Sequence, residues 1–382
     1  MECGIFKCFL LLAAAMLSSC GVKQTEEGMI DVSKPRGAVL EDLTSDIRVI
    51  PVREDSSFLL GNVMDLKSYG SFLFLHDDGS RKIYCMEDDG RFMYALDALG
   101  RAENEYLDIG TYTFDAARLS LVIFERTRRE LKWYTGPDAV YAASHKLGSY
   151  ASAMEWLQGS RYVLVQEAWR EFEPALVIYD VATDSVVAQL PLREDQADLM
   201  LDIAFSRMGP GRETYVCVPG LVNTVYRADS AGFTPEMEIA MTPNKLGEEY
   251  WSGDYDEAKE QELFDATQSG EGGIAIAPSF FVKTGTAVSF YYFPGRKGSS
   301  SWHNLPAMNL CLLRDGKTRV VDRLTLRGTK TELAPLGVHG GRYVALVETA
   351  LLDASGDPGP TALKIRDFAE AGIEHVLVEY GF

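Results

Sequence analysis

The chain lacks most of the local signatures from which chemistry is read. It has six cysteines in 382 residues. Cys3 and Cys8 lie in the N-terminal apolar segment and Cys20 directly after it. Cys85, Cys217 and Cys311 remain, each in an apolar, strand-like run. An odd number at wide spacing excludes a disulfide framework and reads as buried thiols, with one disulfide left open. The five histidines, His76, His145, His303, His339 and His375, are scattered. None pairs with another at the spacing of a zinc helix or finger, so no metal is assigned and no cofactor is expected. There is no Gly-x-Ser-x-Gly nucleophile elbow and no Asp-x-Asp-x-Asp-Gly calcium loop. The Ser-x-Asp-x-Gly-x-Thr-Trp box of sialidase type is also missing. No basic cluster offsets the net charge of −19. A surface that acidic repels phosphate backbones, which argues against nucleic acid as a partner. The N-terminal apolar run, Cys8–Leu17, is shorter than the roughly 20 residues needed to span a bilayer.

That short run is informative for what surrounds it. Lys7 precedes it and small residues follow, the pattern of a secretory signal segment. It ends in Leu17-Ser18-Ser19-Cys20, which resembles a bacterial lipobox. The resemblance implies a signal peptide over residues 1–19, cleavage before Cys20 and lipid on its sulfur. Several acyl chains, at roughly 0.8 kcal/mol per buried CH2 group, would hold the chain on a membrane. Residues 20–40 are polar and without hydrophobic period, so they read as a flexible tether. Glu26 and Glu27 resemble the acidic surface-export signals of some Gram-negative lipoproteins, or are simply a solvated linker. Location in the cell envelope follows, on either face of an outer membrane.

The remainder is a repeat. Strand-like runs rich in Val, Ile, Tyr and Phe alternate with turns of Gly, Asp, Asn and Pro. Hairpins recur: KIYCM and RFMYAL flank Asp88-Asp89-Gly90, and ELKWYT and VYAASHKL flank GPDA. ALVIYDV with VVAQLPL, NTVYRA with FTPEMEIAM, and NLCLLR with TRVVDRL follow the same plan. Asp and Gly suit these turns because they accept positive φ or bond their own backbone. Another strand pair precedes each hairpin, giving a four-stranded unit repeated six times. The first strands fall near Asn62, Tyr112, Ala153, Leu201, Phe280 and Leu336. One interval is long because it holds an insertion over residues 243–273. Four-stranded units of about 40–50 residues predict a single six-bladed β-propeller over residues 41–382, all-β apart from that insertion. Two segments compete to close the ring: IRVIPV at residues 47–52, which is favoured, and the tail IEHVLVEYGF.

Several motifs in order resemble a family, the six-bladed β-propeller lipoproteins of Bacteroidetes-type Gram-negative bacteria, akin in shape to NHL-type propellers. They are the early VIPV strand, the DGRFMYAL turn, Glu105-Tyr106 in LGRAENEYLDI, and VPGLVNTVYRADSAGFTPEMEI. Ala102-Glu103-Asn104 stand where the family has Gly-Pro-Gly. The resemblance implies the fold and an envelope location, and no common reaction.

Two segments break the repeat and become the candidate sites. SGDYDEAKEQELFDA, within the insertion, predicts a helix capped by Ser252 or Asp254. It would lie over one mouth of the ring. Trp251 and Tyr255 would offer aromatic faces to a sugar or peptide, or pin the insert to the blades. FPGRKGSSSWHNLPA gathers Arg296, Lys297, Trp302 and His303 in one loop. The segment GRAENEY reads as the step between blades one and two, with Tyr106 packed between them. Alternatively, Arg101, Glu103 and Glu105 line a groove. Two functions stand side by side. One is a lipid-anchored binding or scaffolding module for a glycan, peptide or protein partner. The other is a polysaccharide hydrolase or lyase with carboxylates from different blades at the channel mouth, which leave no linear motif.

Overall fold

The computed structural model describes residues 29–382, apart from residues 55–57, 158–160, 168–172, 201–204, 208–212, 245, 269–275, 295–307 and 354–355. Cys20, Arg296, Lys297, Trp302 and His303 lie outside the described residues.

Six four-stranded antiparallel units follow one another around a ring. The N-terminal segment holds β1 (Met29–Asp31), β2 (Ala38–Val39) and β3 (Ile47–Val52). Blade one is β4 (Val63–Tyr69), β5 (Phe72–Asp77), β6 (Lys82–Glu87) and β7 (Phe92–Leu96). Blade two is β8 (Thr111–Asp115), β9 (Ser120–Glu125), β10 (Glu130–Thr135) and β11 (Val140–Lys146). Blade three is β12 (Ala151–Trp156), β13 (Tyr162–Glu167), β14 (Ala175–Asp180) and β15 (Ser185–Pro191). After the short helix α1 (Glu194–Leu199) comes blade four: β16 (Phe205–Arg207), β17 (Thr214–Val218), β18 (Asn223–Asp229) and β19 (Gly232–Thr242). The insertion carries α2 (Glu248–Trp251) and α3 (Glu257–Gln268). Blade five is β20 (Ile276–Thr284), β21 (Ala287–Phe293), β22 (Asn309–Arg314) and β23 (Lys317–Val321). The two-residue β24 (Leu324–Thr325) leads to blade six. That blade has β25 (Pro335–His339), β26 (Arg342–Glu348), the helix α4 (Pro360–Glu370) in the connection, and β27 (His375–Tyr380).

Closure uses both competing segments. β27 is the third strand of blade six, and β3 pairs antiparallel with it as the fourth, with Leu377 opposite Ile50. The first strands begin at or within a few residues of the expected positions, except that Leu201 falls outside the described residues.

The tether expected over residues 20–40 ends earlier. β1 runs parallel to the last residues of β19 as a fifth strand of blade four, and β2 pairs parallel with β24. Ile30 and Val32 are buried against the cluster between blades four and five, and Leu40 is fully buried. Alternate apolar residues here were too few to show a strand period, but they suffice to clip an extended segment to an existing edge. Residues 20–28 lie outside the described residues.

The core is divided among the blade seams. Tyr69, Tyr106, Tyr112 and Ile123 share one cluster between blades one and two. Trp133 and Trp156 meet edge to face at 6.1 Å between blades two and three. Every other seam has its own apolar cluster, including the closing one, where Ile50, Leu66, Leu73 and Leu377 meet. Cys85, Cys217 and Cys311 are buried free thiols within these clusters, and burial pushes the Cys85 thiol up to about 12.

The alternation of strand direction sorts the connections. Those after the first and third strands of a blade emerge at one end of the ring and are two to six residues long. Those after the second and fourth emerge at the other. They include residues 53–62, 97–110, 192–204, 243–275, 294–308 and 349–374. The strand ends that flank the two repeat-breaking segments therefore lie at the same, long-loop end.

Candidate functional site

The insertion is tied to the ring by one arginine. Arg193 directly precedes α1, and its backbone N–H donates to Gln196 Oε1 at 2.9 Å. Gln196 Nε2 donates to Pro219 O at 2.8 Å, and Gln166 Nε2 to Ala197 O at 3.2 Å. These bonds fix α1 to blades three and four. The Arg193 guanidinium then reaches out of α1 toward the insert. It donates to Asp195 through Nε at 3.0 Å and Nη2 at 2.5 Å, and through Nη1 to Trp251 O and Gly253 O, each at 3.2 Å. Asp195 is fully buried and also accepts the Tyr250 hydroxyl. The guanidinium carbon lies 5.4, 5.2 and 6.0 Å from the ring centroids of Tyr250, Trp251 and Tyr255. A cation held against three aromatic rings and paired with a buried carboxylate is a strong fastening. Leu199, Leu246, Tyr250, Leu263 and Ala266 pack beneath it.

Trp251 and Tyr255 are thus brought together, half-buried, with Arg193 between them and the ring. The helix of the insert starts later than the expected capping by Ser252 or Asp254. α3 begins at Glu257, and Asp256 caps it by accepting the Lys259 N–H at 3.0 Å. Gly253, at φ +73°, turns the chain in between. Asp198, also in α1, has its carboxyl pushed up to about 6 by burial and by Glu194, Asp195 and Glu260.

The channel wall carries a second polar cluster. Strand alternation sets Asp65, Lys67 and Tyr69 on one face of β4. Lys67 Nζ donates to Tyr112 O at 2.5 Å and Met154 O at 3.0 Å, and lies 3.8 Å from Glu155 Oε2. The Tyr69 hydroxyl donates to the Glu155 carboxylate at 3.1 Å and meets Thr113 Oγ1 at 3.0 Å. One lysine so ties the innermost strands of three blades together. Glu155 is nearly buried and engaged from two sides.

The step between blades one and two is a structural seam. Arg128 donates to the carbonyls of Arg101, Ala102 and Glu105, Lys132 to that of Glu103, and the Tyr134 hydroxyl to that of Asn104. Glu105 Oε2 accepts the Ala102 N–H at 2.7 Å. Tyr106 is fully buried, its hydroxyl donating to Arg81 O at 2.7 Å. Side-chain donors from blade two thus satisfy the backbone carbonyls of this loop.

With six blades closed by a terminal strand and the seam residues in place, the family can be tested directly. A model described as 6-bladed beta-propeller matches residues 19–245. The chain belongs to this six-bladed β-propeller family. The propeller is similar to the crystal structure of a Bacteroides fragilis NCTC 9343 protein assigned as exported. The TM-score is 0.62 at 13% identity, covering 91% of this chain and 98% of that one. It is also similar, at a TM-score of 0.42 and 10% identity, to the Swd1 β-propeller domain of Myceliophteria thermophila, covering 88% of this chain and 100% of that one. A third likeness, to the Pan2 WD40 domain of Neurospora crassa, has a TM-score of 0.40 at 8% identity over 83% of this chain and 74% of that one. No curated protein matches the sequence. Among the described residues no helix is long and apolar enough to cross a membrane.

The Arg193 node was missed in the sequence because LREDQADL has no periodicity of its own. Its only signal is a run of acids opening a short helix after the last strand of a blade. The Lys67 face was legible in principle, since Asp65, Lys67 and Tyr69 are two residues apart in a strand.

Proposed function

We propose that the propeller is a lipid-anchored binding or scaffolding module of the cell envelope, held through Cys20 to an outer membrane. Its ligand, a glycan, peptide or protein partner, docks on the long-loop end. The observation that carries this reading is the gathering of the long connections at one end, where α1, the Arg193 node and the insert form a fixed platform. Rigid scaffolds that concentrate variable loops at one end use them for recognition. Trp251, Tyr255, Arg296, Trp302 and His303 are the proposed contact residues. The polysaccharide hydrolase or lyase reading requires carboxylates free to reach a glycosidic bond. Glu155, one buried carboxylate of the channel wall, is instead engaged by Tyr69 and faces Lys67.

The test is a glycan and peptide array probed with protein lacking residues 1–20. Retention that is weakened by Trp302→Ala is expected. Turnover of a polysaccharide without retention on any array would reverse the choice. Metabolic labelling with a fatty acid, lost in Cys20→Ala, checks the anchor.

A further inference from the structure

Where the ring closes, three potential ligands come from the two ends of the chain. Glu54 lies two residues past β3, the strand that completes blade six; Glu374 directly precedes β27, which His375 begins and to which β3 is paired. One ligand atom from each lies within 4.8 Å of the other two. His375 Nδ1 is 2.8 Å from Glu54 Oε2, and the side chains of both are largely buried. Glu374 is exposed. The group is held from outside. Glu54 Oε1 accepts the Leu60 N–H at 2.7 Å. The Glu374 carbonyl accepts the Thr349 N–H at 2.8 Å and Oγ1 at 3.1 Å. Carboxylates and backbone positions fixed in this way are typical supports of a metal ligand set.

We propose that Glu54, Glu374 and His375 bind a divalent transition-metal ion of the zinc or manganese type, which clips the N-terminal strand into the ring. Donors bound to such an ion at about 2.0–2.2 Å sit at most about 4.4 Å apart, so a small closing movement of the exposed Glu374 completes the set. Two carboxylates and one neutral imidazole balance the charge of a divalent ion. The imidazole selects against calcium and magnesium, which prefer oxygen alone. Three protein ligands leave at least one position for water. Binding through Nδ1 replaces the present contact with Glu54 and places the ring proton on Nε2. The ion then bridges two segments that are neighbours in space and far apart in sequence, so its binding energy adds to closure of the ring.

The experiment uses the full chain, stripped with a chelator and then titrated with zinc, manganese or calcium, read by calorimetry and thermal unfolding. One equivalent of zinc or manganese is expected to bind. At a hundredfold excess over Kd it should raise Tm by about 3–5 °C. Glu374→Gln removes an exposed ligand, so it should keep the metal-free Tm and lose the metal-induced rise. His375→Gln should lose it as well. No binding, equal binding in Glu374→Gln, or a calcium response matching that of zinc would each overturn the site.

Discussion

Gly90 combines two constraints that no side chain can meet. Its φ is +85°, and a Cβ on it would lie 1.9 Å from the backbone oxygen of Pro51 in the closing strand. The left-handed backbone costs a non-glycine residue about 1–2 kcal/mol, and a clash with immobile backbone adds about 1–3 kcal/mol. Gly90→Ala should therefore lower stability by about 2–5 kcal/mol in denaturant titration, while Gly136→Ala, whose Cβ would meet nothing, carries only the backbone cost. The turn at Asp88-Asp89-Gly90 was legible from residue type. The approach of Pro51 was not, because it comes from another blade. Glu125 poses the reverse problem. It is fully buried, and among the described residues neither of its oxygens has a hydrogen-bond partner, although Oε2 lies 3.3 Å from Arg128 Nη1. Burial raises its pKa, while Arg128 and Lys132 oppose the shift. The folded chain thus holds this proton more tightly than the unfolded chain. Stability from this group is full below the ordinary carboxylate pKa and is lost as pH rises through the raised one. Glu125→Gln should match the wild type in acid and exceed it in Tm at pH 7.5. A lower Tm at pH 7.5 would mean that the Arg128 contact outweighs desolvation.

The insertion shows how an element can be half legible. Its length and helical character were readable, because it lengthens one interval of the repeat and Tyr255, Ala258, Glu262 and Leu263 stand at roughly helical spacing. Its start was not, since Ser252, Asp254 and Asp256 are all good caps and the choice was made by the turn at Gly253 and the pull of Arg193 on the Trp251 and Gly253 carbonyls. The helix α4 went unread, although Pro360 opens it and Ala362 and Ile365 are buried. It stands where a repeat-based reading expects only a connection. Docking of the insert should depend on pH. Asp198, with its pKa raised to about 6, is ionised at neutral pH beside Glu194, Asp195 and Glu260. A raised carboxyl pKa stabilises the docked form below the ordinary value and gives up that stability as pH rises through about 6. Asp198→Asn should slow protease cleavage within residues 248–268 at pH 7.5 relative to the wild type at the same pH. Equal cleavage rates would show that the Arg193 node alone governs docking.

At the scale of the whole molecule, the six-fold repeat was legible because each hairpin announces itself by alternation and turn residues. The family match ends at residue 245, yet blades five and six continue the same plan. What could not be read is how the chain ends meet, since strand pairing between distant segments leaves no local pattern. The ring depends on the N-terminal region in two unequal ways. Residues 29–39 strap the outside, with β1 on blade four and β2 on β24, the Val32 N–H donating to Thr242 O at 2.7 Å. β3 is a full strand of blade six and pairs through all six of its residues. Deleting residues 29–39 removes Ile30 and Val32, each worth about 1.5–3 kcal/mol when buried, a loss offset by the chain entropy that no longer has to be given up. A net loss of about 2–4 kcal/mol is expected, with an unchanged circular dichroism spectrum and a monomeric elution volume. Deleting residues 29–52 also removes β3 and leaves β27 as an open edge, a template for pairing with another chain. That variant should elute as oligomers or fail to fold. If it remained monomeric with the wild-type Tm, closure by β3 would not be what holds the ring. The strap bears on the anchor as well. Eight residues lie between Cys20 and Met29, and the nine Cα–Cα steps span at most about 32 Å. On the proposed lipidation, the edge of blade four then stays within that distance of the bilayer. In the variant lacking residues 29–39 the same link joins the anchor to Leu40, which packs in the cluster of blades five and six. A lipid-attached fluorophore should then quench more strongly against a label on blade six than in the wild type.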